Sequence, residues 1–241
     1  MVICRCKGFQ VRESLMESKS CVRVKICCIA RVEEAHLAIA HGASAVGLVS
    51  RMPSGPGVIE EDLIAEIAAA VPPGVASFLL TSEIDVPAII DQQRRTCVNT
   101  LQLVDALPPG AHQQLREALP GIALVQVVHV VGEQSIAEAV AIAPHVDAIL
   151  LDSGNPAAPV KELGGTGRVH NWEISRRIRQ SISCPLFVAG GLQPANVREA
   201  IRQIGPYAVD VCSGVRTNGK LDAIKLRDFF REVEAATDSP L

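Results

Sequence analysis

Residues 185–204 read PLFVAGGLQPANVREAIRQI, and the reading of this stretch decides the fold. Residues 185–189 are an apolar run of strand length. Gly190 and Gly191 break it, Pro194 stands where a first helical turn tolerates proline, and apolar residues then recur at helical spacing over 194–204. A buried strand, a glycine turn and an amphipathic helix make one βα unit.

The unit repeats along the chain. Strand-like runs fall at 22–29, 45–49, 75–80, 99–104, 123–130, 147–152, 185–189 and 208–212. Helical periodicity covers 32–41, 60–70, 86–94, 112–119, 134–142, 172–181, 194–204 and 221–235. Gly42, Pro72-Pro73-Gly74 and Pro120-Gly121 punctuate the helix ends. Crossovers long enough for parallel pairing leave an open doubly wound sheet or a closed (β/α)8 TIM barrel, and eight units favour the barrel. The expected organisation is one α/β domain over 22–236. Residues 1–21 read as a disordered extension, with Met16 as an alternative first residue, and 237–241 as a short tail.

Composition agrees. The chain has 241 residues, a formal charge of −3 and 48% hydrophobic residues, which excludes disordered, collagen-like and coiled-coil classes. The near-neutral balance argues against a nucleic-acid partner or a polybasic membrane surface, and no apolar stretch is long enough to span a bilayer. Aromatic residues make up only 3%, so the core must come from Ala, Val, Ile and Leu, as buried parallel strands prefer. The eight cysteines lack Cys-x-x-Cys spacing and the six histidines lack ligand spacing, so the expectation is a reduced, cytoplasmic chain without a metal site.

In a barrel of this kind the chemistry sits where strands end. The connections after the last three strands contain Gly164-Gly165-Thr166-Gly167, Gly190-Gly191 and Ser213-Gly214. Glycines there let backbone N–H groups approach an anion, so the substrate is expected to be phosphorylated. Asp152 closes an apolar run on the same face as Ala148 and Leu150; if that face is the interior, Asp152 stands at the mouth as a general acid. A helix cap or loop ion pair is the alternative reading for it. Cys27 and Cys28 end the first strand run, and alternation lets only one of them point inward. An inward thiol can act as a base, whereas two buried core cysteines would be the structural alternative. Asp210 lies within the eighth run, where burial demands a partner or a role.

With these strand ends set out, the chain from Val24 to Phe230 resembles phosphoribosylanthranilate isomerase, the (β/α)8 enzyme of tryptophan biosynthesis, a barrel of the ribulose-phosphate-binding type. The resemblance rests on Lys25-Ile26-Cys27, His41-Gly42-Ala43, Leu101-Gln102-Leu103, Leu150-Leu151-Asp152 and Gly164–Gly167 with Asn171-Trp172. It continues through Ala189-Gly190-Gly191-Leu192 with Pro194 and Asn196, and Val209–Val215. It implies an Amadori rearrangement of an N-glycoside of ribose 5-phosphate, with Asp152 as general acid and Cys27 as general base. Gly165, Thr166, Gly190, Gly191, Ser213 and Gly214 would hold the phosphate, and neither proton transfer calls for a metal or organic cofactor. The expected partner is a small phosphorylated sugar, met by a monomer or homodimer. The chain departs from the family pattern where Cys28 replaces a glycine, where Asp105 follows the fourth strand, and in the second loop. There Ser54-Gly55-Pro56-Gly57-Val58 lacks the arginine that meets the anthranilate carboxylate, leaving Arg51 as its substitute, with Asp210 as a second substrate contact. A diverged barrel acting on a different phosphosugar, and a non-catalytic phosphate-ligand binder, are the alternative readings.

Overall fold

The computed structural model describes residues 21–154, 158, 161, 163, 167 and 169–238. Eight parallel strands close into a barrel: β1 (Arg23–Ile26), β2 (Ala45–Val49), β3 (Ala76–Thr81), β4 (Thr100–Leu103), β5 (Ala123–His129), β6 (Ala148–Asp152), β7 (Leu186–Val188) and β8 (Ala208–Val211). Each of the first seven is followed by its helix: α1 (Val32–Ala40), α2 (Glu61–Ala70), α3 (Val86–Thr96), α4 (Ala111–Ala118), α5 (Gln134–Ile142), α6 (Trp172–Ser181) and α7 (Val197–Ile204). After β8 a small hairpin, β9 (Arg216–Thr217) and β10 (Lys220–Leu221), precedes α8 (Ala223–Asp238). The extension expected over 1–21 lies outside the described residues apart from Cys21, and α8 continues past the expected boundary at 236 to Asp238.

Strand parity builds two cores. Inward positions such as Ala45, Val49, Phe78, Leu80, Val125, Val127, Ala148 and Leu150 fill the barrel. Their neighbours Val46, Leu48, Leu79, Leu101, Ile149 and Leu151 face the helices, with Ile64, Ile67, Ile89 and Leu115 packed against them. Burying each of these aliphatic side chains is worth about 1.5–3 kcal/mol, so branched aliphatics hold the sheet without aromatic bulk. Local signals place the helices. The Asp85 carboxylate accepts from Ala88 N (3.1 Å) at the start of α3, and Asn171 Oδ1 accepts from Glu173 N (3.0 Å) at the start of α6.

Two expectations are corrected here. The seventh helix does not start at Pro194: Asn196 Oδ1 accepts from Gln193 N (2.9 Å), fixing 193–196 as a turn, and the helix begins at Val197. Nor do Cys27 and Cys28 face opposite sides of the sheet. Strand pairing stops at Ile26, and Cys28 takes a left-handed backbone (φ 61°), which breaks the alternation and turns both thiols toward the barrel mouth.

The barrel closes between its first and last strands, with Lys25 opposite Asp210 and Ile26 opposite Val211. Beyond the strands, Arg216 continues this seam. Its Nη2 donates to Cys28 O (2.6 Å) and Cys27 O (3.2 Å), and its Nη1 to Glu34 Oε1 (3.0 Å) at the start of α1. Glu34 also accepts from Ala30 N and Leu221 N. Burial opposes its ionisation, but these hydrogen bonds outweigh it and hold the carboxyl below its ordinary pKa.

Candidate active site

One cavity at the carboxyl ends of the strands gathers most of the residues that the sequence singles out. Cys27, Asp152, Gly190, Gly191, Asp210 and Ser213 all line it. Cys27 sits one residue beyond β1, its N–H donating to Val211 O at 2.8 Å, so the β1–β8 pairing positions its side chain. Asp152 is the last residue of β6 and half-buried. Its Oδ1 accepts from Ser153 N at 2.7 Å, and the residue lines the cavity.

Beneath them lie buried polar groups. Lys25 is 0% exposed, and its Nζ donates to Asp210 Oδ2 at 2.9 Å. Burial alone would lower the Lys25 pKa, but the Asp210 carboxylate and the neighbouring Cys27 outweigh it, and the pKa is raised. For Asp210 burial is the larger effect and Lys25 returns only part of the shift, so its carboxyl titrates above the ordinary value. The charge the pair secures is that of the ammonium, whose solvation Asp210 replaces. Gly47 on β2 makes room for the group: a Cβ there would stand 2.8 Å from Cys27 Sγ and 2.9 Å from Lys25 Nζ. Asp210 Oδ1 and Gln102 Oε1, both buried in the wall, have no hydrogen-bond partner among the described residues. A buried acceptor left unpaired costs about 1–3 kcal/mol, so both suit a ligand rich in hydroxyl donors.

The glycine loops form the opposite rim. Asn196 Nδ2 donates to Gly191 O (3.0 Å), tying the loop after β7 to the turn before α7. The loop after β8 is pressed against it: a Cβ on Gly214 would lie 2.0 Å from Leu192 O. Gly214 is not among the residues that line the cavity but sets the spacing of the two loops, while Ser213, Gly190 and Gly191 line it. Gly167 lines the cavity too. Gly165 and Thr166 lie outside the described residues.

The site differs from expectation on its remaining side. Arg51 is exposed and is not part of the cavity wall; its carbonyl accepts from Ser82 Oγ at 2.9 Å. That wall is formed by Cys28, Met52, Pro56, Leu80, Val104 and Leu163. Sequence reasoning also passed over His170 before α6. Buried and bonded through Nε2 to Ser175 Oγ (2.7 Å), its pKa is lowered to about 4 by burial, against the pull of Asp152. No sequence pattern flags it, whereas Gln102 was detectable as a polar residue at an inward position of an apolar strand. Among the described residues no group of three or more His, Cys, Asp or Glu is arranged to hold a metal ion.

Comparison with known proteins decides the kinship. The profile of the N-(5'-phosphoribosyl)anthranilate (PRA) isomerase family matches residues 24–232. The chain belongs to this family. An N-(5'-phosphoribosyl)anthranilate isomerase of Methanosarcina acetivorans is 35% identical over 225 residues, covering 88% of this chain and 92% of the relative. Isomerase 2 of Methanosarcina mazei is 37% identical over 215 residues, covering 88% and 94%. Among solved structures, the phosphoribosyl anthranilate isomerase of Thermotoga maritima superposes with a TM-score of 0.76 at 30% identity, covering 89% of this chain and 99% of that one. The PRA isomerase family fold is thus present over nearly all of the described barrel. No described helix is long and apolar enough to cross a membrane.

Proposed function

We propose that the chain is a phosphoribosylanthranilate isomerase that converts N-(5'-phosphoribosyl)anthranilate to the 1-deoxyribulose 5-phosphate product of tryptophan biosynthesis. The observation that carries this reading is the convergence of Cys27, Asp152 and the loops after β7 and β8 on one cavity. Bound by backbone N–H groups of those loops, the phosphate fixes the ribose across the mouth. Asp152 protonates the ring oxygen as the furanose opens, and Cys27 then takes the proton from the adjacent sugar carbon as the enolamine forms. Asp210 Oδ1 and Gln102 Oε1 accept from sugar hydroxyls. The relatives that carry this activity in their names support the substrate.

Purified protein should consume fluorescent phosphoribosylanthranilate. Asp152→Asn and Cys27→Ala should each lower kcat by roughly a hundred- to ten-thousand-fold while the circular dichroism spectrum stays that of the parent. A folded protein without turnover overturns the proposal.

The wall that holds Cys28, Met52, Pro56, Leu80, Val104 and Leu163 favours a second reading, a family member whose phosphosugar carries a different aglycone. A bidentate guanidinium is the natural partner of a benzoate, and among the described residues none lines this cavity. Turnover of phosphoribosylanthranilate at an ordinary kcat/KM removes this alternative.

A further inference from the structure

Three thiols meet at the barrel mouth, and the proposed isomerisation uses one. Cys28 follows β1 and Cys212 follows β8, and their Sγ atoms lie 2.7 Å apart, closer than any other described thiol contact. Cys28 is 7% exposed, its Sγ resting 3.7 Å from Pro56 O, yet both thiols open onto the substrate cavity. The strands that precede them are paired up to Ile26 and Val211, so Cys28 lies two residues and Cys212 one residue beyond a fixed point of the barrel seam.

We propose that Cys28 and Cys212 are a reversible disulfide site, oxidised by a small hydroperoxide that enters through the substrate cavity and reduced by a dithiol. The pair is differentiated for this chemistry. Hydrogen bonding to Cys28, aided by the Arg216 charge and opposed by burial, pulls the Cys212 thiol below its ordinary pKa. Hydrogen bonds to Cys212 and Cys27, together with burial, push Cys28 up. Of the two, Cys212 gives up its proton more readily, and as the thiolate it attacks the peroxide O–O bond. An S–O bond forms, the O–O bond breaks, and hydroxide or alkoxide leaves as water or alcohol after taking a proton, giving a sulfenic acid at Cys212. Cys28 sulfur then attacks that sulfur, the S–O bond breaks, and the oxygen leaves as water with the Cys28 proton. Two thiols lose two electrons and two protons, and the peroxide gains them. The product ties the end of β1 to the phosphate loop beside Cys27.

The test needs no substrate, so its outcome is independent of the isomerase reading. The full chain is treated with hydrogen peroxide, free thiols are alkylated, and the tryptic peptides spanning 26–31 and 203–216 are followed by mass spectrometry. The expected result is a linked pair mapped to Cys28 and Cys212, reversed by dithiothreitol, with Cys21 and Cys97 still alkylated. It should vanish in Cys212→Ser and in Cys28→Gly, the latter a substitution that a left-handed backbone welcomes. Linkage through Cys27 in the Cys28→Gly chain, chain-to-chain linkage through Cys21 or Cys97, or irreversible oxidation without a linked peptide would each overturn the proposal.

Discussion

His170 shows how much a single side chain can carry without lining the cavity. Its pKa of about 4 in the folded protein lies below the ordinary 6.5, so between these values the unfolded chain binds a proton that the folded chain refuses. Stability must therefore fall as pH drops through that window, by on the order of 2 kcal/mol between pH 7 and pH 5 from this residue. Urea unfolding at the two pH values measures it, and His170→Asn should flatten the dependence by that amount whatever its effect at neutral pH. Nothing in the sequence around 170 announces this burial, because it comes from tertiary packing of the segment before α6. Cys28 failed differently. Alternation let only one of Cys27 and Cys28 point inward, and the left-handed backbone of Cys28 brings both into the mouth; its place where the resembled family pattern has a glycine was the available clue, since glycine favours such backbone positions.

At the scale of elements, period-2 alternation put Ala148, Leu150 and Asp152 on one face, and the barrel shows that this face is the inner one; one residue of slip would have put Ile149 and Leu151 there instead. Helix starts were less legible. Pro194 signals a first turn, but the Asn196 side chain claims Gln193 N and Gly191 O and delays α7 to Val197. That delay leaves the loop after β7 clamped on one side by Asn196 and on the other by the loop after β8. Gly214→Ala drives a Cβ into Leu192 O and forces the two loops apart. The expected outcome is a roughly 10- to 100-fold weaker affinity for inorganic phosphate and ribose 5-phosphate in isothermal titration, with the barrel still folded, since displacements near 1 Å at a binding loop carry penalties of that size.

Across the whole molecule, the closed barrel was legible from the count of eight βα units, but the way it closes was not. Lys25 reads as a charged residue within the first strand-like run, and only the β1–β8 register shows it fully enclosed opposite Asp210. Lys25→Met strands the Asp210 carboxylate in the interior and should cost about 3–5 kcal/mol, whereas Lys25→Met with Asp210→Leu should recover most of it. Denaturant midpoints of the two variants check this. The same seam holds the Cys28–Cys212 contact and the Arg216 bonds to the ends of β1. Its two sides are 185 residues apart, so a ribosome releases Lys25 long before it makes Asp210. Until then the nascent chain has an ammonium with no counterion inside the sheet and an open edge on its first strand. Completion of the ring must wait for the final strand to emerge, and any chain cut short before β8 is left as a template for edge pairing with other chains.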